Sequence, residues 1–167
     1  MTTVDETAFT TWAEPGWEAW NAMSPEVDFC RFVGMLARML QPAVTVETGV
    51  GAGKVTEQLD RQRTRWLGFE ADTAWRPEDA QDAATPSAEQ MTSAELVILD
   101  SDPNHRFNEI ACWVTHGRPD SVCVIHDAGN GHPDYYNHQR IREAILRTGI
   151  PGMFLRNPRG GWVGIHP

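Results

Sequence analysis

Four short apolar runs in this chain end in residues that can do chemistry. Val44–Val46 leads into Glu47, Trp66–Phe69 into Glu70, Leu96–Leu99 into Asp100, and Val122–Ile125 into His126 and Asp127. Asp102 and His105 follow Asp100 closely. Clustered carboxylates repel one another, so a purely structural sheet has no need of acids at four strand ends. A carboxylate accepts hydrogen bonds from hydroxyls. A carboxylate group can also hold a hard divalent cation, and a neutral imidazole can take a proton from a hydroxyl nearby. Where strands and helices alternate, the carboxyl ends of the strands are the place for a ligand.

The first of these ends lies in Val44–Leu59, VTVETGVGAGKVTEQL. Val44–Val46 reads as a strand. Gly49, Gly51 and Gly53 follow at alternate positions, and Lys54–Leu59 reads as the start of a helix. Strand, glycine turn and helix bring backbone N–H groups up to a ligand, and glycine supplies the positive φ and the close approach such a turn needs. Two phosphate-binding patterns fail on spacing. GxxxxGK followed by Ser or Thr requires glycine where Thr48 stands and a hydroxyl where Val55 stands. GxGxxG requires a third glycine at Lys54 or at Thr56. The pattern that fits is ExGxGxG, Glu47 to Gly53; its plain alternative is an ordinary turn between strand and helix.

ExGxGxG resembles the first motif of the class I S-adenosylmethionine-dependent methyltransferases. The resemblance implies that Gly49, Gly51 and Gly53 pass under the methionine part of the cofactor and that Glu47 is the acid of the first strand. It further implies that Glu70, 21 positions after Gly49 in WLGFEAD, binds the ribose hydroxyls. Asp82, in QDA, stands where the family often has a residue that reads the adenine, and Asp100 is placed beside the cofactor.

LDSDPNHRF and VIHDAGNGH are similar to a narrower group, the small metal-dependent O-methyltransferases related to cephalosporin hydroxylase. That resemblance implies magnesium or another divalent cation on Asp100, Asp102 and Asp127. It also implies His105 or His126 as the base for the substrate hydroxyl. His105 stands three residues after Asp102, the spacing usual in the group, yet Asp100 occupies the strand end where the metal acid is usually found. His126 is a less natural magnesium ligand than a carboxylate.

The elements that must position these residues are legible in outline. Ser24-Pro25-Glu26 reads as a helix start, with the apolar face Phe29, Phe32, Val33, Leu36, Met39 and Leu40 behind it and Pro42 at its end. ELVILD, Glu95–Asp100, is a strand covered on both faces, and SVCVIHDA, Ser121–Ala128, is the next. A helix from about Asn104 through Val114 separates them, stopped by Gly117 and Pro119. His132–Thr148 is helical in its second half, and Met153–Leu155 with Gly161–Ile165 forms a terminal hairpin. Ala71–Ser93 contains no convincing strand. The alternation predicts an α/β, doubly wound, mostly parallel sheet. By the resemblance it is seven-stranded and Rossmann-like, with an antiparallel last strand. Residues 1–42 read as a helical extension and 43–167 as the cofactor-binding part of a single domain.

Composition narrows the partners. With 167 residues and 41% hydrophobic content the chain has enough for one core. A formal net charge of −9 argues against nucleic acid, whose phosphates want Lys and Arg. No run approaches a membrane span. Three cysteines without metal-type spacing and an acidic N-terminus without an apolar core suit a cytoplasmic setting. The expected partner is a small-molecule substrate. Trp12, Trp17 and Trp20 are left to cap the cleft, to cover the core edge or to join two copies in a homodimer.

Overall fold

Leu96–Leu99 (β3) and Val122–His126 (β4) are buried at every position, as strands covered on both faces must be. Their side chains alternate between two apolar clusters, following the two-residue period of a strand. Leu96, Ile98, Val122 and Val124 join Phe29, Cys30 and Val33. Val97, Leu99, Cys123 and Ile125 join Ile110, Trp113, Ile141 and Ile145 on the other face. The structure, a computed structural model, describes residues 25–83, 85–129, 136–156 and 159–167. Ser24, the three leader tryptophans, His132, Asn157 and Pro158 lie outside them.

Val44–Thr48 (β1) and Arg65–Phe69 (β2) extend the parallel part of the sheet, while Gly152–Leu155 (β5) and Gly161–Ile165 (β6) form the antiparallel hairpin. The strand order is β2-β1-β3-β4-β6-β5, with β6 antiparallel to β4. The described residues thus form six strands rather than seven. At the outer edge of β2 a single parallel bridge, Phe69 to Gln81, stands where the seventh would run. Ala71–Ser93 has too few apolar residues to bury a strand there. Its C-terminal end is instead the short helix Ala88–Ser93 (α2), held by a capping box in which Ser87 and Gln90 bond each other's backbone N–H.

Val27–Leu40 (α1), Pro103–His116 (α3) and Tyr136–Thr148 (α4) are the longer helices. Two expectations need correction. The glycine turn is followed by one 3-10 turn, Thr56–Gln58, and not by a helix. Val55 and Leu59 are the apolar anchors of this stretch, and both are buried in the cluster that α1 covers. Gly34 of α1 lies so close that a Cβ there would come within 2.8 Å of the Gln58 Cβ. The second correction is that α1 starts at Val27. Glu26 is its N-cap residue, yet its side chain makes no cap.

Gly49 has φ +65°, and a Cβ on it would meet the Asp100 carbonyl oxygen at 2.3 Å and the Ser101 Cα at 2.5 Å. Gly53 has φ +71° with nothing within 4 Å. Gly53→Ala is therefore expected to cost about 1–2 kcal/mol, the penalty of the left-handed conformation. Gly49→Ala adds an overpacking cost of roughly 1–3 kcal/mol against rigid backbone. Urea unfolding of the two variants measures the difference, and equal losses would show that the turn does not rest on the end of β3.

Candidate functional site

The register sets the tips of the parallel strands side by side. Thr48 pairs with both Phe69 and Leu99, and Leu99 with Ile125. The residues just beyond these positions open into a cleft of about 450 Å³, the size of a small-molecule site. Gly49, Gly51 and Glu70 line one side of it, and Asp100, Asp102, His105, Arg106 and Asp127 the other. Trp75 and Ala83 add apolar surface at the outer end.

Glu70 is pre-oriented on the cleft wall. Its Oε2 accepts the Gly51 N–H at 2.8 Å and its Oε1 accepts the Asp72 N–H at 2.9 Å. Glu47 and Gly53 do not line the cleft. The Glu47 carboxylate turns under the glycine loop, where its Oε2 accepts Thr56 Oγ1–H at 2.8 Å and Trp66 Nε1–H at 2.7 Å. Gly53 opens onto a separate shallow hollow near Trp66. Asp82 also lies off the cleft, exposed and paired with Arg76 at 2.5 Å; its neighbour Ala83 takes the lining position. Asp102 caps α3, its Oδ1 accepting both the backbone and the side-chain N–H of Asn104 at 2.8 Å. His105 is half-buried on the cleft wall, and among the described residues its ring makes no hydrogen bond.

Behind that wall lies an ionic cluster. His126 is fully buried, with Nδ1 at 2.9 Å from Asp100 Oδ1 and Nε2 at 2.6 Å from Glu26 Oε2. Burial alone would lower its pKa. The charges of Asp127, Asp100 and Glu26 more than offset that and hold it up at about 10. The ring is therefore an imidazolium that donates from both nitrogens. Glu26 shows the counterpart: burial opposes its charge, but His126 and Arg159 draw its pKa down to about 2. Arg106, 1% exposed, donates from one terminal nitrogen to the His126 carbonyl at 2.6 Å and to Asp127 Oδ2 at 3.4 Å. The other terminal nitrogen donates to Asp100 Oδ1 at 3.2 Å and to the Ser101 carbonyl. Arg159 closes the set, its Nε on Asp127 Oδ1 at 2.9 Å and its backbone N–H on Glu26 Oε1 at 2.8 Å. Asp127 sits at φ 56°, in the left-handed region that Asp tolerates better than most side chains. Burial opposes its charge, and Arg159, His126 and Arg106 together hold its carboxyl far below the usual range.

The expected site residues thus divide. Glu70, Gly49, Gly51, Asp100, Asp102, His105 and Asp127 come together at the cleft, while Glu47, Gly53 and Asp82 do not. His126 is at the centre of the cluster but is engaged at both nitrogens, so it has no lone pair for a proton or a metal. Asp100, His126 and Asp127 each bring a ligand atom within 4.8 Å of the others, a spacing a cation could use. His126, Asp127 and Asp100 Oδ1 already have partners within the chain, while Asp100 Oδ2 makes no bond among the described residues. Glu26, Arg106 and Arg159 escaped the sequence reading. Glu26 reads as a helix-start acid, and Arg106 as one more polar residue beside His105. Arg159 lies in a turn, and nothing local marks any of the three.

No protein-family model and no curated protein matches the sequence. Solved structures do. An O-methyltransferase from Bacillus cereus in complex with SAH superposes with a TM-score of 0.66 at 15% identity, over 87% of this chain and 84% of that one. An O-methyltransferase from Streptomyces achromogenes involved in tomaymycin synthesis, in complex with SAM, gives 0.61 at 13% identity over 87% and 82%. A SAM-bound amino pentose methyltransferase from Micromonospora echinaspora gives 0.59 at 13% over 84% and 91%. The chain has the class I methyltransferase fold, as the ExGxGxG resemblance implies.

Glu47 supplies a pH test of this geometry. Burial raises its pKa from 4.5 to about 7, against the opposing bonds from Trp66 and Thr56. The unfolded chain releases this proton as pH passes 4.5, and the folded chain keeps it until about 7. Glu47 therefore removes stability as pH rises through that window. Glu47→Gln keeps an acceptor for both donors and removes the ionisation. Relative to the parent it should gain on the order of 1–3 kcal/mol between pH 4 and pH 8. Denaturant melts across pH measure the difference, in which the similarly buried Glu109 cancels. A difference that does not vary with pH would place Glu47 in contact with water.

Proposed function

We propose that this protein is an S-adenosylmethionine-dependent methyltransferase that acts on a hydroxyl of a small molecule. The observation that carries the proposal is the convergence of the Gly51 N–H and the Glu70 carboxylate on one wall of a ligand-sized cleft at the strand ends. Glu70 is suited to the ribose hydroxyls, and Gly49 and Gly51 leave room for the methionine part. Trp75 and Ala83 offer apolar surface to the base. When bound, the cofactor supplies an electrophilic methyl group.

The chain's own part is positioning and proton transfer. In this reading His105 accepts the proton of the substrate hydroxyl, whose oxygen takes the methyl group. Arg106 and His126 hold Asp100 and Asp127 in place behind it. The similar structures from Bacillus, Streptomyces and Micromonospora support the reading through fold and bound cofactor. A second reading, a cofactor-binding module without turnover, is favoured by the reduced glycine-turn helix and the missing edge strand. Both readings use the same cleft, and only turnover separates them.

Glu70→Ala is expected to weaken S-adenosylhomocysteine by about 1.5–3 kcal/mol, roughly 10- to 150-fold, the range for hydrogen bonds to a charged group. Asp82→Ala should leave that affinity unchanged. Calorimetry on both variants checks the pair, and the reverse pattern would move the ribose site off β2. His105→Ala should keep cofactor affinity and cut methyl transfer by ~10²–10⁴, the usual contribution of a general base. Methylation that survives His105→Ala would remove it from the chemistry.

A further inference from the structure

Two carboxylates on adjacent strand tips, with carbonyl oxygens between them, are the donor set of a hard divalent cation. In this protein Asp100 and Asp127 provide the carboxylates, and Ser101 and His126 the carbonyls. One side chain binds all four oxygens. The Arg106 guanidinium contacts Asp100 Oδ1, Asp127 Oδ2, the His126 carbonyl and the Ser101 carbonyl. Its planar fork of donors suits several oxygens at once, where an ammonium would serve as a point charge.

We infer that Arg106 is the resident cation of this site, so that the strand-tip acids are neutralised by the chain itself and take no divalent metal.

Three observations support this. The guanidinium cannot readily yield its place, because it is 1% exposed and rooted in the first turn of α3, which Asp102 caps. The second oxygen of Asp127 is also committed: Oδ1 holds Arg159 at 2.9 Å and stands 3.3 Å from His126 Nδ1, which leaves only Asp100 Oδ2 of that pair without a bond among the described residues. Finally, a divalent ion would enter beside two fixed guanidinium groups, those of Arg106 and Arg159. The other acids on the cleft wall do not replace it, since Asp102 spends an oxygen on the α3 cap and Glu70 and Asp72 lie beyond the end of β2, on the opposite side.

The test needs no substrate, so it stands or falls apart from methyl transfer. The full-length protein, stripped with chelator, is titrated with manganese by electron paramagnetic resonance and with magnesium and calcium by calorimetry. The expected result is no saturable binding tighter than ~1 mM, the weak limit of biological calcium sites. Tighter binding that is lost in both Asp100→Asn and Asp127→Asn overturns the inference; binding that survives both lies elsewhere and upholds it. Arg106→Ala gives the opposite arm. It leaves the four oxygens without a cation, so calcium or manganese should raise its melting temperature while leaving that of the parent unchanged. A folded Arg106→Ala that gains no response to either ion also overturns the inference. Should Arg106→Ala fail to fold, the titration of the parent decides.

Discussion

A buried imidazolium is the constraint on which the cleft side of this structure depends. His126 has no access to water, and a charge taken out of water is costly unless partners surround it. The partners come from far apart in the chain. Glu26 reaches it from the start of α1, Asp100 from the end of β3 and Asp127 from the next residue along. The acids in turn need Arg106 from α3 and Arg159 from the turn before β6. Three carboxylates and three cations thus balance inside a chain whose net charge is −9. Several departures from ideal local structure follow. Glu26 abandons the cap of α1 to face inward, and Asp127 accepts a left-handed backbone.

The same cluster explains how α1 is held. Its apolar face covers one side of β3 and β4, and the Glu26–His126 bond pins its N-terminal end beside the strand tips. Phe29 lies over the His126 ring at 4.4 Å between centroids, so packing and charge meet at one residue. With that position taken by α1, the stretch after the glycine turn has little room for a helix and makes one 3-10 turn. Glu47 then finds Thr56 and Trp66 instead of the cleft. The acid of the glycine motif has become a support beneath the loop it introduces.

What could be read from the sequence followed from local periodicity. ELVILD and SVCVIHDA announce buried strands, and the acids after them announce the edge that opens into the cleft. Glu70 is legible because its distance from the glycine turn reflects one strand–turn–strand unit. Long-range charge pairing is not legible in this way. Glu26 and His126 are 100 residues apart, and neither has a local feature that names the other. Acids and histidines with metal-like spacing were the visible half of the cluster. The arginines that answer them lay in a helix and a turn, where charged residues are ordinary. Six strands in place of seven was hard to foresee for another reason: Ala71–Ser93 is simply poor in apolar residues, and such a segment yields either a frayed edge or a loop.

A site neutralised from within also changes what the proposed reaction demands of its substrate. A divalent cation bound to a hydroxyl lowers its pKa, so a metal-dependent enzyme can work on an alcohol that is a weak acid. Without that help, proton transfer to an imidazole must draw on the acidity of the hydroxyl itself. A phenolic proton, near pKa ~10, is about 6 units more acidic than one held like that of water, near ~16. At 1.36 kcal/mol per unit this is roughly 8 kcal/mol of driving force, which positioning alone would be hard pressed to replace. The Arg106 arrangement and the O-methylation reading are therefore compatible for phenols and similarly acidic hydroxyls, and strained for simple alcohols. If the protein methylates a hydroxyl and Arg106 is the resident cation between Asp100 and Asp127, the site favours a hydroxyl that is acidic in its own right.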